Sequence, residues 1–451
     1  MTRLPSILLL AVLSASPLLA QADAPGLTLA ETLSMGLEQS PEVRGAMALR
    51  EVAEARLGQA RSTWLPLIRA SETWTESDNP VFVFGTLLEQ GRFSASHFDP
   101  AFLNDPDPID NWRLALSVQM PVFDQLRRWS RIDQAKLGLD AEALRFEATR
   151  EARAFELLRL FDAAVLAEAE HAAAAQRVAA AESDVSAIRD RFETGLIVES
   201  DLLGAEVQLA EFRTRMIGAA GEREASRAAL FAAVGIPIDS DVTVSGSLEL
   251  PDRSVPPLDQ LISSAQESRA DVSGSRIAER AAALDTRIAR GSFLPRVDAF
   301  ATFGASGSSI DETNSDRTWG AVVSIDLLQP GRLGRLAEAR AGVLAAQADA
   351  DRIERDARTE VVTAYHRYQA ALSQVEVAEL AVQQADQALR IVRDRYSEGL
   401  TTITEQLRAH AARLAAENQL LAARSQARSG RAALLLSAGL LDPVNPLGGT
   451  R

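Results

Sequence analysis

Ile188-Arg189-Asp190-Arg191-Phe192-Glu193-Thr194-Gly195-Leu196 returns 204 residues later as Val392-Arg393-Asp394-Arg395-Tyr396-Ser397-Glu398-Gly399-Leu400. Five of the nine positions are identical, and the same offset carries Gly235 onto Gly439. A second alignment, at an offset of 229, pairs Pro41-Glu42-Val43 with Ala270-Asp271-Val272 and Trp64-Leu65-Pro66 with Phe293-Leu294-Pro295. Self-similarity of this kind marks an internal duplication. The offset falls from 229 to 204 because the first half carries a longer insertion. The halves run over 27–245 and 258–442, and a Pro-rich linker, 246–257, joins them.

Each nonapeptide interrupts a long helical stretch. No proline occurs from Val122 to Ile236 or from Gly331 to Asp442, runs of 115 and 112 residues rich in good helix formers. Gly195 and Gly399 each break a run once, which predicts two helical hairpins. The ascending arm of the first, about 125–194, would reach on the order of 105 Å at ~1.5 Å per residue. Its returning arm, about 200–234, is half as long. Val178, Ala181, Val185, Ile188 and Phe192 are spaced 3-4-3-4, and Val382, Ala385, Leu389, Val392 and Tyr396 keep that spacing. That is a knobs-into-holes seam. A helix opens each half, about 29–63 and 258–292, and stacking it on the returning arm would supply the missing length.

Between the opening helix and the hairpin, each half predicts two strands, about 67–75 and 112–120, then 296–303 and 319–327. Trp112, Leu114, Leu116, Val118 and Met120 alternate with Arg113, Ala115, Ser117 and Gln119. Trp319, Ala321, Val323, Ile325 and Leu327 do the same. This fits membrane-barrel strands with a terminal interfacial tryptophan, with an ordinary half-buried sheet as the lesser alternative. Residues 76–110, with four prolines, and the Gly/Ser-rich 304–317 read as loops. Four strands cannot close a barrel, which begins at about eight. If they lie in lipid, several chains must share one barrel, because open edges there cost several kcal/mol per lost hydrogen bond.

Arg3, the apolar Ile7–Leu13 and Ala20-Gln21-Ala22 predict an export signal over residues 1–22. The chain has no cysteine, which excludes disulfides and thiol chemistry. A net charge of −15 without basic clusters argues against nucleic acid as a partner. The four histidines, at 97, 171, 366 and 410, form no metal motif, and neither a phosphate loop nor a nucleophile elbow occurs. The sequence predicts no enzyme and no cofactor.

The duplicated Arg-Phe/Tyr-x-x-Gly-Leu turn, the Leu-Pro strand starts and the element order together resemble the TolC-like outer-membrane factor family over about residues 27–441. The fold this implies is mainly α with transmembrane β: a long α-helical coiled-coil barrel, with four β-strands per chain contributing to a shared oligomeric barrel. The resemblance implies a homotrimer with 12 strands in the outer-membrane lipid and a tunnel through the periplasm of a Gram-negative envelope. Its implied role is passive export of drugs, metals or proteins, in tripartite efflux or type I secretion. The implied partners are a periplasmic adaptor (membrane fusion) protein and an inner-membrane pump.

By the same resemblance, Gly195, Leu196, Gly399 and Leu400 are the adaptor-docking tips, although plain turn residues would look alike. Glu405, with Asp201 as its repeat mate, matches an acidic entrance constriction, and Tyr396 matches a tyrosine of the closed gate. Thr402-Ile403-Thr404-Glu405 reads equally as a helix capping box. Thr401 and Arg408 stand where the family archetype has an arginine and a second acid. A periplasmic coiled-coil adaptor or scaffold remains the alternative, though it needs no strand pairs.

Overall fold

The computed structural model describes residues 26–195, 197–250 and 252–448. The expected export signal and Leu196 lie outside the described residues.

The first half opens with α1 (Leu29–Gln39) and α2 (Pro41–Ser62), then β1 (Leu67–Ser77). Two short helices follow, α3 (Pro80–Glu89) and α4 (Pro100–Asn104), with a 3-10 turn between them, before β2 (Ile109–Phe123). The hairpin is α5 (Arg127–Glu193) and α6 (Glu199–Val234). The second half repeats the order as α7 (Leu258–Ser268), α8 (Ala270–Gly291), β3 (Arg296–Gly307), β4 (Thr313–Ser324), α9 (Arg332–Ser397) and α10 (Ile403–Ser437).

Four sequence expectations change. Residues 304–317 are mostly strand, because β3 runs on to Gly307 and pairs with a β4 that already starts at Thr313, leaving only 308–312 as the connection. Each opening helix is two helices. In the first half Ser40 ends α1 and caps α2, its hydroxyl accepting from the Val43 amide at 3.2 Å, and Pro41 takes the first helical position. Residues 76–110 are not a plain loop, because Asn79-Pro80 and Asp99-Pro100 start α3 and α4. The fourth strand ends at Ser324, not 327, because its partner β3 begins at Arg296, which pairs with Ser324. Ile325 to Leu327 therefore have no strand beside them, and Trp319 sits in mid-strand, opposite Ala301.

The helices form one layer. In the half nearer the strands, α2 packs on α5, α5 on α8 and α8 on α9. In the other half α6 takes the place of α2, and α10 that of α8, between α5 and α9. The stacked short helices and returning arms thus match the length of α5, 67 residues and about 100 Å. The main core lies midway, where Leu33 of α1, Leu157, Leu158 and Phe161 of α5, Leu230, Phe231 and Val234 of α6, and Leu435 of α10 are buried together.

The four strands form one antiparallel sheet in the order β1-β2-β3-β4, so β1 and β4 both present free edges. The register puts Ile68, Trp74, Trp112, Leu114, Leu116, Val118, Met120, Phe303, Trp319 and Val323 on one face. Arg69, Thr73, Arg113, Ser117, Thr302, Ser306, Asn314 and Asp316 share the other. One face is mainly apolar, with Glu72 and Arg317 among the exceptions, and the other mainly polar, with Phe300 and Val322 among the exceptions, which suits lipid outside and water inside.

The strand-to-helix junctions are duplicated too. Arg128, 4% exposed, lies 4.3 Å over the Trp64 ring and donates to the carbonyls of Thr63 and Pro121. Its repeat mate Arg332 lies 4.9 Å over Phe293 and donates to the Asp326 carbonyl. The guanidinium fills the carbonyl groups left unpaired where strand becomes helix, and the aromatic face stabilises its charge. At the first junction Gln125 and Leu126 both take φ near +65° (64° and 66°). The Gln125 carbonyl approaches Gly291 so closely that a Cβ there would overlap it.

Candidate functional site at the helical tips

At the first tip, α5 ends at Glu193, and the Thr194 hydroxyl donates to the Asp190 carbonyl at 3.0 Å. Gly195 turns the chain at φ +73°. Space around it is open, so the need for glycine is conformational. The chain re-enters helix at Glu199, with Glu199 and Asp201 in the first turn of α6, where acids complement the helix dipole. The second tip matches it. Gly399 has φ +70°, and the Leu400 amide closes the turn onto the Arg395 carbonyl at 2.8 Å. Leu400 is 67% exposed, and near the other tip Val198, whose repeat mate is Thr402, is 62% exposed. Both tips end in bare apolar side chains beyond the last helical turn.

Behind the tips the two hairpins share one core. Val178, Ala181, Val185, Ile188, Ala205, Leu209 and Phe212 of the first bury Ile403 of the second, with Tyr396 and Leu407 against them. Tyr396 is thereby placed at the contact between hairpins, where the Arg191 guanidinium lies 5.3 Å from its ring centre. Asp201 lines a crevice of ≈ 230 Å³ between α6 and α10, together with Gln208, Ile403, Thr404, Leu407 and Arg408. Glu405 is exposed, and its carboxylate pairs with Arg408 at 3.0 Å. Only half of the capping box forms. The Thr402 hydroxyl accepts from the Glu405 amide at 3.4 Å, while the Glu405 side chain goes to Arg408 instead of the Thr402 amide. Asp201, Tyr396 and Glu405 thus sit within one cluster of helix ends, and Arg408 both pairs with Glu405 and lines the crevice with Asp201.

A second link between hairpins lies further from the tips. Arg177 of α5 donates to the carbonyl of His410 on α10 and stands 2.9 Å from its Nδ1. Burial, and then the Arg177 charge, push the His410 pKa below its ordinary value, with Asp184 opposing. The imidazole is neutral at pH 7 and accepts at Nδ1. Sequence reading gave Arg177 and Arg191 no role, and weighed His410 only as a metal ligand. The signal for Arg191 was present in the repeated nonapeptide itself, where Arg395 is its mate.

A cavity of ≈ 610 Å³ lies far from the tips, between α5, α8, α9 and α10. There burial, then Glu147, push the Glu151 carboxyl up to about 7. Among the described residues no group of three or more His, Asp or Glu is placed to hold a metal ion. Nor, among them, is any helix long and apolar enough to cross a membrane.

Comparison with known proteins agrees with this architecture. The chain matches the family described as Outer membrane efflux protein over residues 32–236 and 261–440. It is 25% identical over 425 residues to Protein CyaE of Bordetella pertussis, covering 92% of this chain and 84% of that one. It is 23% identical to AprF, the alkaline protease secretion protein of Pseudomonas aeruginosa, over 95% of this chain and 88% of that one. Its fold superposes on the CmeC outer membrane channel of Campylobacter jejuni with a TM-score of 0.77, at 16% identity, over 91% of this chain and 85% of the other. The chain belongs to the outer membrane efflux protein family, and is the outer-membrane channel component of a tripartite efflux or type I secretion system, reaching into the periplasm.

Proposed function

We propose that three copies of this chain close into one passive duct, with a 12-stranded barrel in the outer membrane and the helical layers joined into a tunnel below it. The observation that carries this reading is where apolar side chains stay exposed. On the long helices most of them are carried by the helices at the two edges of the layer, Met47, Leu49 and Val52 of α2, Leu203, Val207 and Ile217 of α6, and Leu344, Val377, Leu380 and Ile391 of α9, while α5 adds only Trp129 and Phe192, near its two ends. The central α8 and α10 expose no large hydrophobic residue among the described ones. Two different edges with apolar surface suit a head-to-tail contact, which closes into a ring when the rotation allows. The free edges of β1 and β4 make the same demand in lipid.

The repeats 27–245 and 258–442, joined by 246–257, then each supply one helical hairpin and one strand pair to the wall. The tips around Gly195-Leu196 and Gly399-Leu400 dock the periplasmic adaptor, whose apolar contacts Val198 and Leu400 would cover. Asp201, Tyr396 and Glu405 form the entrance constriction, and an inner-membrane pump supplies the energy. The name of the Pseudomonas relative supports a polypeptide cargo.

The edge contact has a direct test. Val207 lies eight residues from the start of α6 and Ile391 six from the end of α9, so both are about 10 Å from the tips. Since the chain has no cysteine, the double variant V207C/I391C gives clean oxidative cross-linking. We expect a covalently linked trimer on a denaturing gel. A band at monomer mass only would overturn the proposed contact.

A further inference from the structure

The insertion that lengthens the first half lies at the end of the sheet away from the long helices, which is the outward end. Instead of projecting outward, it folds back over the polar face. α3 crosses from the β1 side and packs against β2, β3 and β4. Its last turn is locked to that face. Arg113 of β2 holds Glu89 at 3.1 Å and Asp316 of β4 at 3.0 Å, and donates to the Ser306 hydroxyl at 2.8 Å. Asn314 Nδ2 donates to the Glu89 carbonyl at 2.9 Å. Gln90, 7% exposed, donates to the Asp110 carbonyl at 2.7 Å. Arg113, Ser306, Asn314 and Asp316 all lie on the face opposite Trp112 and Leu114, so α3 lies inside the barrel wall.

The rest of the insertion braces the helix. Phe93 meets Phe84 at 5.0 Å and Phe98 at 5.1 Å between ring centres, and His97 meets Phe102 at 5.1 Å. Val83 and Leu87 are buried beneath. Yet Val81 and Leu88, two turns apart on one side of α3, are 82% and 50% exposed, and Phe98 is 64% exposed. In a single chain this apolar edge is uncovered.

We propose that residues 78–108 are an inward-folded flap, latched by the Glu89–Arg113–Asp316 pairs, whose apolar edge meets the same edge of the other two copies of this chain and narrows the outer mouth of the duct. The inference rests on the three-chain barrel proposed above. Twelve strands ~4.8 Å apart, tilted by about 40°, enclose a section about 24 Å across. Three helices, each ~10 Å wide, would occupy most of it. The apolar edges then bury one another on the axis, and cargo must push the flaps aside. Because the latch is made of half-exposed ion pairs, it can open without breaking the core.

Single-channel conductance of the full-length protein in planar bilayers tests this. Ser77 pairs with Ile109, so a variant lacking residues 80–106 keeps four residues for the hairpin connection and leaves the register intact. It should conduct at least two-fold more than the wild type. E89A, which releases the latch and retains the Arg113–Asp316 pair, should conduct at an intermediate level or flicker between the two. Wild-type conductance in both variants, with trimer migration preserved on unboiled gels, would overturn the flap. A wild type that forms neither trimer nor channel would instead overturn the duct itself, and the flap with it.

Discussion

At Glu405 two demands meet. As the third residue of α10 it contributes its amide to the Thr402 cap, and as a carboxylate it pairs with Arg408 one turn on. An exposed pair of this kind contributes at most about 1 kcal/mol to stability. Its larger consequence is electrostatic, since Arg408 cancels charge that an acidic ring would present to passing ions. R408Q should therefore raise cation selectivity in planar bilayers, and E405Q should lower it, with little change in folding. Reversal potentials unchanged in both variants would leave Glu405 only its capping role. The pairing with Arg408 was open to sequence reading, because the two residues are three apart on a helix. The seat of Tyr396 was not. It depends on Arg191 and on the core of the other hairpin, which the chain brings together only in the fold.

Among elements, the segment joining the halves shows what a sequence conceals. Its prolines mark it as a linker, but three side chains strap it to the helices. Arg428 of α10 pairs with Asp162 of α5 at 2.9 Å, both buried, and donates to the Glu249 carbonyl at 3.0 Å. Arg431, also buried, donates to the carbonyls of Asp252 and Ser254, and the Tyr368 hydroxyl to that of Arg253 at 2.9 Å. Asp162 and Arg428 stand 266 residues apart, beyond the reach of any local pattern. Replacing Arg428 by Met would strand a buried carboxylate at a cost of about 3 kcal/mol. Thermal unfolding of R428M in detergent should show that loss, and R428M/D162L should recover most of it. Equal stability of R428M and wild type would contradict the strap. The helix breaks at Ser40-Pro41 and the α3 and α4 starts were written in the sequence as Ser-Pro, Asn-Pro and Asp-Pro. Each proline suits a loop or a first helical turn equally, and only packing decides between them. Likewise the alternation through Leu327 looked like strand, but β3 is too short to pair with it.

At the scale of the whole molecule, one chain is an unfinished object. The duplication, the hairpins and the two-faced strands are legible because they repeat at fixed offsets and periods. The need for partner chains is legible as well, in four strands that cannot close a barrel, but the surfaces proposed to meet are not: the α2 and α6 edge, the α9 edge, and the free sides of β1 and β4 emerge only in the fold. The inward flap escaped sequence reading for a related reason. Its latch joins Glu89 to Arg113 and Asp316 across both halves, and its apolar edge has meaning only beside its copies. The central claim is that three chains complete one duct. Native mass spectrometry of the protein extracted in detergent from the outer-membrane fraction tests it most directly. The account predicts a single species of three chains. A monomer, or recovery of the protein as a soluble periplasmic species, would contradict it.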